Sequence, residues 1–231
     1  MAILDLDGTM MEGQLGMHLF GRLVERGVVP RSVYRGVEEL LRRYREGRME
    51  REQMVLESVA AFVACLAGVD VGIVEAHAAE VWREQSGALM AYVPEFVGLL
   101  RDRGFTCFVV SASPDVIVRH VAETLELDGY RGSRYAMGDG RFTGTVELMP
   151  GARGEKLTAL RELVREDAVD WGASLAIGDT GGDACLLERV GFPVAFEPDR
   201  TLRPLAAARG WLTVDRATVV DAVRRRLDGA R

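Results

Sequence analysis

The chain begins with the apolar run Ala2-Ile3-Leu4, which breaks at once into Asp5-Leu6-Asp7-Gly8-Thr9. A short, uniformly apolar segment is the pattern of a strand buried on both faces, as in a parallel sheet. Its abrupt end in two carboxylates and a glycine marks the carboxyl edge of such a sheet, where ligands bind in open α/β folds. Asp5 and Asp7 are two residues apart and share a face of the strand end. Their like charges repel unless a cation lies between them. The segment therefore asks for metal, phosphate and nucleophile in one place.

The rest of the chain extends this frame. Helical periodicity runs through Leu15–Arg26, Val33–Arg45, Glu50–Ala67 and Ile73–Leu89, with breaks at Gly27–Pro30, Glu46–Arg48 and Gly68–Asp70. Four successive helices without a strand read as an inserted all-helical block. After Pro94 strands return: helix Phe96–Arg103, apolar strand Phe105–Val110 broken by Ser111-Ala112-Ser113-Pro114, then a helix over Val116–Leu125. Ser133–Val146 reads as two strands around the turn Gly138-Asp139-Gly140. A helix over Glu155–Arg165, strand Leu175–Ile177 ending in Gly178-Asp179, helix Ala184–Val190 and strand Pro193–Phe196 follow. Two tail helices lie near Leu202–Ala208 and Ala217–Leu227. Strands alternating with helices predict an α/β, Rossmann-like parallel sheet with helices on both faces. The expected division is a core of residues 1–13 and 91–231 with a helical cap over 14–90.

Composition excludes several classes of partner. The net charge of −6 offers no basic face for nucleic acid. No apolar run is long enough to cross a bilayer, and the first strand begins too early to leave room for a signal peptide. Cys65, Cys107 and Cys185 are odd in number and lack metal-type spacing, which suits small buried side chains in a reducing cytoplasm. Of 29 basic residues all but Lys156 are arginine. Where arginine serves everywhere else, a single lysine points to a task needing a compact charge on a flexible stem.

Four chemistry-bearing groups fall in order at strand ends or helix starts: Asp5/Asp7, Ser111, Lys156, and Asp179 with Asp183 in Gly178-Asp179-Thr180-Gly181-Gly182-Asp183. Carboxylates from separate strands supply the hard oxygens that magnesium prefers. A hydroxyl and a lysine beside them can hold phosphate oxygens, and glycines let backbone N–H groups approach the same anion.

This set resembles the haloacid dehalogenase superfamily of phosphohydrolases. The helical block resembles that superfamily's type 1 cap. Ser111-Ala112-Ser113-Pro114, the hairpin Asp139-Gly140-Arg141-Phe142-Thr143-Gly144 and the tail Glu197-Pro198-Asp199-Arg200 are similar to subfamily IB, the branch containing phosphoserine phosphatase. The resemblance implies that Asp5 is a nucleophile forming an aspartyl-phosphate and that Asp7 is the general acid and base. It implies Mg2+ held by Asp5, the Asp7 backbone carbonyl and Asp179. Ser111, Ala112, Lys156, Gly8 and Thr9 would bind phosphate, and Asp183 would orient the lysine and the metal shell. Arg153, one turn before Lys156, is expected to be a surface or secondary charge. Asp7 argues against halide displacement, which needs no acid for its leaving group.

Gln14 and His18 are candidate specificity residues, whereas His77 and His120 read as structural. Phosphoserine phosphatases typically carry a glutamate where this chain has Gln14, and an arginine where it reads Val55-Leu56-Glu57-Ser58. Phosphoserine is therefore not the expected substrate. The expected function is Mg-dependent hydrolysis of a small phosphorylated metabolite. A phosphotransferase to an acceptor alcohol and a non-enzymatic phospho-accepting module are the alternatives.

Overall fold

In the computed structural model, which describes residues 1–152 and 154–229, alternate residues of each inner strand point into two separate apolar layers. On β1 (Ala2–Leu4), Ala2 and Leu4 enter one layer and Ile3 the other. On β2 (Cys107–Pro114), Val109 and Val110 divide in the same way. Strands wetted on neither face have no reason to alternate polar and apolar residues, which explains the continuous runs.

Among the described residues the sheet has seven strands in the order β4-β3-β2-β1-β5-β6-β7. The others are β3 (Gly129–Gly138), β4 (Arg141–Leu148), β5 (Leu175–Gly178), β6 (Phe192–Phe196) and β7 (Leu212–Val214). All neighbours are parallel except β3 and β4, the hairpin that forms one edge. The first layer is covered by α5 (Val93–Asp102), α6 (Asp115–Thr124) and α10 (Val219–Asp228). The second is covered by α7 (Glu155–Arg161), α8 (Ala184–Leu187) and α9 (Leu202–Arg209). The α/β fold with helices on both faces is as expected.

Four helices, α1 (Leu15–Glu25), α2 (Arg31–Arg45), α3 (Arg51–Cys65) and α4 (Val71–Gln85), separate β1 from α5. Their apolar faces continue the first layer through Leu15, Leu19, Phe62 and Val81. Two seams tie them to the sheet. Trp82 Nε1 of α4 donates to Thr124 Oγ1 of α6 at 2.8 Å. The loop between α3 and α4 pairs with the hairpin: Gly68 N–H donates to Phe142 O, Val71 N–H to Gly140 O and Phe142 N–H to Val69 O. α2 stands outermost and buries only Val37.

The structure corrects some boundaries. β2 runs through Ser111-Ala112-Ser113-Pro114 rather than stopping at Val110, because Pro114 pairs with Ser133 and Ser133 Oγ donates to Ala112 O at 2.7 Å. α7 stops at Arg161 and α8 at Leu187, short of the expected Arg165 and Val190. β7 had no counterpart in the sequence reading, since three residues at a sheet edge show no periodicity.

Candidate active site

β1 is flanked by β2 on one side and β5 on the other, so the chain order reverses at its carboxyl end. That is the switch point at which a parallel sheet opens a crevice. Leu4 pairs with both Val109 and Ile177, and Asp5 N–H donates to Ile177 O at 3.1 Å. Within one to four residues beyond this register line the three strands deliver Asp5, the Ser111–Ser113 stretch and Asp179 to the same edge.

Lys156, in the first turn of α7, is buried between two carboxylates. Its Nζ donates to Asp5 Oδ1 at 2.5 Å and to Asp183 Oδ1. Burial opposes the ammonium, but Asp183 and Asp5 outweigh it and hold the lysine above its ordinary pKa. Asp183 Oδ2 accepts from the Thr180 N–H at 2.9 Å and Thr180 Oγ1 at 3.0 Å, a reciprocal cap on the short turn Gly181–Asp183. Burial works against the Asp183 carboxylate, yet Lys156, the Thr180 N–H and the charge of Arg51 bring it below the usual carboxylate value. Burial pushes Asp5 up to about 6 against the pull of Lys156.

Asp179 completes the acidic group. Burial first, then the charges of Asp5 and Asp183, push its carboxyl up to about 9. Thr9 Oγ1 bridges it to Asp5, donating to Asp5 Oδ2 at 2.8 Å and lying 3.3 Å from Asp179 Oδ1. Tyr92 OH fixes that loop by donating to Thr9 O at 2.6 Å. Gly8 (φ +90°) lets Asp179 approach: a Cβ there would lie 2.3 Å from Asp179 Oδ2. Oxygens of Asp5, Asp179 and Asp183 lie within 4.8 Å of one another. No described residue donates to Asp179 Oδ2, so a hard acceptor is left over inside a crowded anionic site. Such a donor set fits a hard divalent cation of the magnesium type.

Asp7 faces the helical block. Its Oδ1 accepts from the Leu15 N–H at 2.7 Å, and its Oδ2 from Ser111 Oγ at 3.1 Å and Ser113 Oγ at 2.7 Å. The acids open onto a cleft of about 460 Å3, which Gly8, Gln14, Ala112 and Lys156 also line. Ser111 is fully buried behind it, and His18 is exposed and outside it. Arg153 lies outside the described residues.

A family model described as haloacid dehalogenase-like hydrolase matches residues 2–188. The chain belongs to this family. It is 32% identical over 201 residues to the "Inhibition of morphological differentiation protein" of Streptomyces azureus, covering 84% of this chain and 69% of that one. It is 28% identical over 206 residues to "Phosphoserine phosphatase SerB2" of Mycobacterium tuberculosis, covering 89% of this chain but 46% of that longer protein. Among solved structures, "Phospho-Aspartyl Intermediate Analogue of Phosphoserine phosphatase" superposes with a TM-score of 0.64 at 20% identity, over 92% of this chain and 91% of the other. That likeness shows the fold.

Three site residues of this haloacid dehalogenase-like hydrolase were not among the sequence candidates. Ser113, part of the Ser111-Ala112-Ser113-Pro114 motif, holds Asp7 through its hydroxyl. Thr180, within the Gly-Asp motif, holds Asp183 through its N–H and hydroxyl. Arg51 could not be placed from sequence; it lines the cleft, with Nη1 3.1 Å from where a Gly182 Cβ would be. Only Ser113 and Thr180 carried a usable sign, a hydroxyl next to a strand-end motif.

Proposed function

We propose that this hydrolase is a magnesium-dependent phosphomonoesterase that works through an aspartyl-phosphate on Asp5. The observation that carries the reading is Lys156, the chain's one lysine, clamped between Asp5 and Asp183 beside Asp179. An ammonium in that seat can neutralise phosphoryl oxygens as charge moves onto them. The name of the Mycobacterium relative supports the same reaction class.

In the first step an Asp5 oxygen attacks phosphorus in line with the ester oxygen, forming an acyl-phosphate as the P–O ester bond breaks. Asp7 gives its proton to the departing alkoxide. In the second step Asp7 takes a proton from water, which attacks the phosphorus and frees Asp5 and inorganic phosphate. Thr9 and Lys156 hold the two oxygens of Asp5 in place for the attack. Gly8 and Ala112, at the cleft wall, are suited to offer backbone contact to the phosphoryl group, and Ser111 orients Asp7. Asp5, Asp179 and the Asp7 carbonyl would hold Mg2+, whose charge would offset the repulsion between carboxylate and phosphoryl oxygens.

The substrate is a small phosphorylated molecule. No helix among the described residues is long and apolar enough to cross a membrane, and three free cysteines suit a reducing cytoplasm. The test is turnover of p-nitrophenyl phosphate with Mg2+, followed by acid quench to capture phosphate on Asp5. Asp5→Asn should abolish both signals. Turnover that survives this substitution or metal chelation would sink the mechanism.

A further inference from the structure

The cleft has two chemically different ends. One carries the acids and Lys156. The other is walled by Met17 and Phe20 of α1, Leu41 of α2, Met54 and Phe62 of α3, and Tyr135 of β3. Phe20, Phe62 and Tyr135 form a continuous aromatic run, with ring centroids 4.6 and 6.0 Å apart. The apolar end is therefore a built surface rather than a loose edge.

Charge in the cleft is equally one-sided. Its acidic lining residues are Asp5, Asp7, Asp179 and Asp199, all from strand-end loops of the sheet. Asp199 belongs to the metal end, since its N–H donates to Asp179 O at 2.8 Å and its Oδ1 caps Thr201 and Leu202. The helical block contributes no carboxylate to the lining. It contributes Arg45 and Arg51, neither of which forms an ion pair or hydrogen bond with a described residue, and the neutral Gln14. An ammonium group here would meet apolar carbon and two guanidiniums, of which Arg51 also feels the charges of Asp179 and Asp183. Ser58 Oγ, also in the lining, is buried without a partner among the described residues and can serve one oxygen of a ligand.

Space agrees with chemistry. At roughly 30 Å3 for each water-sized group, 460 Å3 holds about fifteen such groups, well beyond a phosphate alone. We propose that the site takes phosphomonoesters of apolar alcohols, aliphatic or aromatic, with an organic part of up to about ten heavy atoms and no ammonium. This substrate class rests on the phosphomonoesterase reading above.

Two arms separate the claims. Binding of alkylphosphonates from methyl to octyl, followed by calorimetry on the full chain with Mg2+, reads the apolar end without any turnover. Affinity should rise about two- to four-fold per methylene, four-fold being full burial of each group, and level off once the wall is filled. Turnover should favour hexyl phosphate over both phosphoserine and O-phosphoethanolamine by at least ten-fold in kcat/KM. Leu41→Glu, on the outermost helix, should flatten the phosphonate series and narrow the gap to O-phosphoethanolamine. Met17→Glu, placed on a different helix, should do the same and guards against a folding defect in either variant. A flat phosphonate series, or phosphoserine preferred over hexyl phosphate, overturns the inference. A rising series without turnover of p-nitrophenyl phosphate or any other ester would leave the apolar subsite standing and refute the phosphatase reading instead.

Discussion

Gly8→Ala separates backbone strain from site geometry. Gly8 has φ +90°, and an added Cβ would lie 2.3 Å from Asp179 Oδ2 and 3.0 Å from its Cγ. Relief to an ordinary contact requires the carboxylate to retreat by about 1 Å, which loosens its bridge to Thr9 and its place beside Asp5. A displacement of about 1 Å at a reacting group costs on the order of 10²-fold. The left-handed backbone adds about 1–2 kcal/mol of strain. At this chain length each kcal/mol shifts Tm by roughly 2–4 °C. Gly104→Ala is the control: φ is +79° and no atom lies within 4 Å of the added Cβ, so it carries strain without collision. Both variants should lose Tm by similar amounts in circular dichroism melts. Only Gly8→Ala should lose about 100-fold in kcat/KM on p-nitrophenyl phosphate and need more Mg2+ for half-saturation. If Gly8→Ala keeps activity within three-fold of Gly104→Ala, Asp179 is not where the mechanism needs it.

Lys156→Met leaves Asp5 and Asp183 buried without their cation, and breaking a buried pair costs about 3–5 kcal/mol. Activity should vanish and the urea midpoint should fall, with no rescue by Lys156→Arg, whose planar fork cannot take the seat of a point charge. Ser113→Ala removes one donor to Asp7 and the acceptor for the Gly16 N–H. It should lower kcat about ten-fold while KM stays within two-fold, a share of the 10²–10⁴ that general acid–base catalysis supplies; an unchanged kcat would show that Ser111 suffices. Stability should also depend on pH. Asp5 and Asp179 are raised to about 6 and about 9, so between the ordinary carboxylate value and those figures the folded chain binds more protons than the unfolded one. Their contribution is complete at acid pH and is lost as pH rises through 6 and then 9. Asp183, shifted downward, acts in the opposite sense, and only below the ordinary carboxylate range. Calorimetry in chelator should therefore show Tm falling from pH 5 to 9, with the stabilisation by Mg2+ widening over the same interval. A gap independent of pH would contradict the crowded-acid account.

The sheet was legible because its strands are buried on both faces and announce themselves as apolar runs. The acids were legible because they interrupt those runs at the edge. β7 was not, since Leu212-Thr213-Val214 is recruited by β6 alone and has no local pattern. Both ends of α3 and the last turns of α7 and α8 shifted because capping and tertiary contact, not periodicity, end a helix. Among site residues, those on strand ends could be read from chain order. Arg51 could not, because its place above Gly182 depends on how α3 is docked, and docking is set by distant seams such as the pairing of Gly68 and Val71 with the hairpin.

That docking also reaches the chemistry. Asp7 is contributed by the loop after β1, yet one of its oxygens is held by the Leu15 N–H that begins α1, and Ser113, one of the two serines holding its other oxygen, is itself bound by the Gly16 N–H. The approach is close enough to require glycine: a Cβ on Gly16 would lie 2.9 Å from Pro114 Cδ and 3.1 Å from Ser113 Oγ. Free N–H groups at a helix start favour a carboxylate through both hydrogen bonds and dipole. The first turn of the helical block therefore fixes where Asp7 points, while the same block supplies most of the apolar wall around the rest of the substrate. Asp5, Lys156 and Asp183 are positioned by the sheet and α7 and do not depend on α1. The proposed nucleophile and the proposed general acid, two residues apart in sequence, thus answer to different parts of the fold.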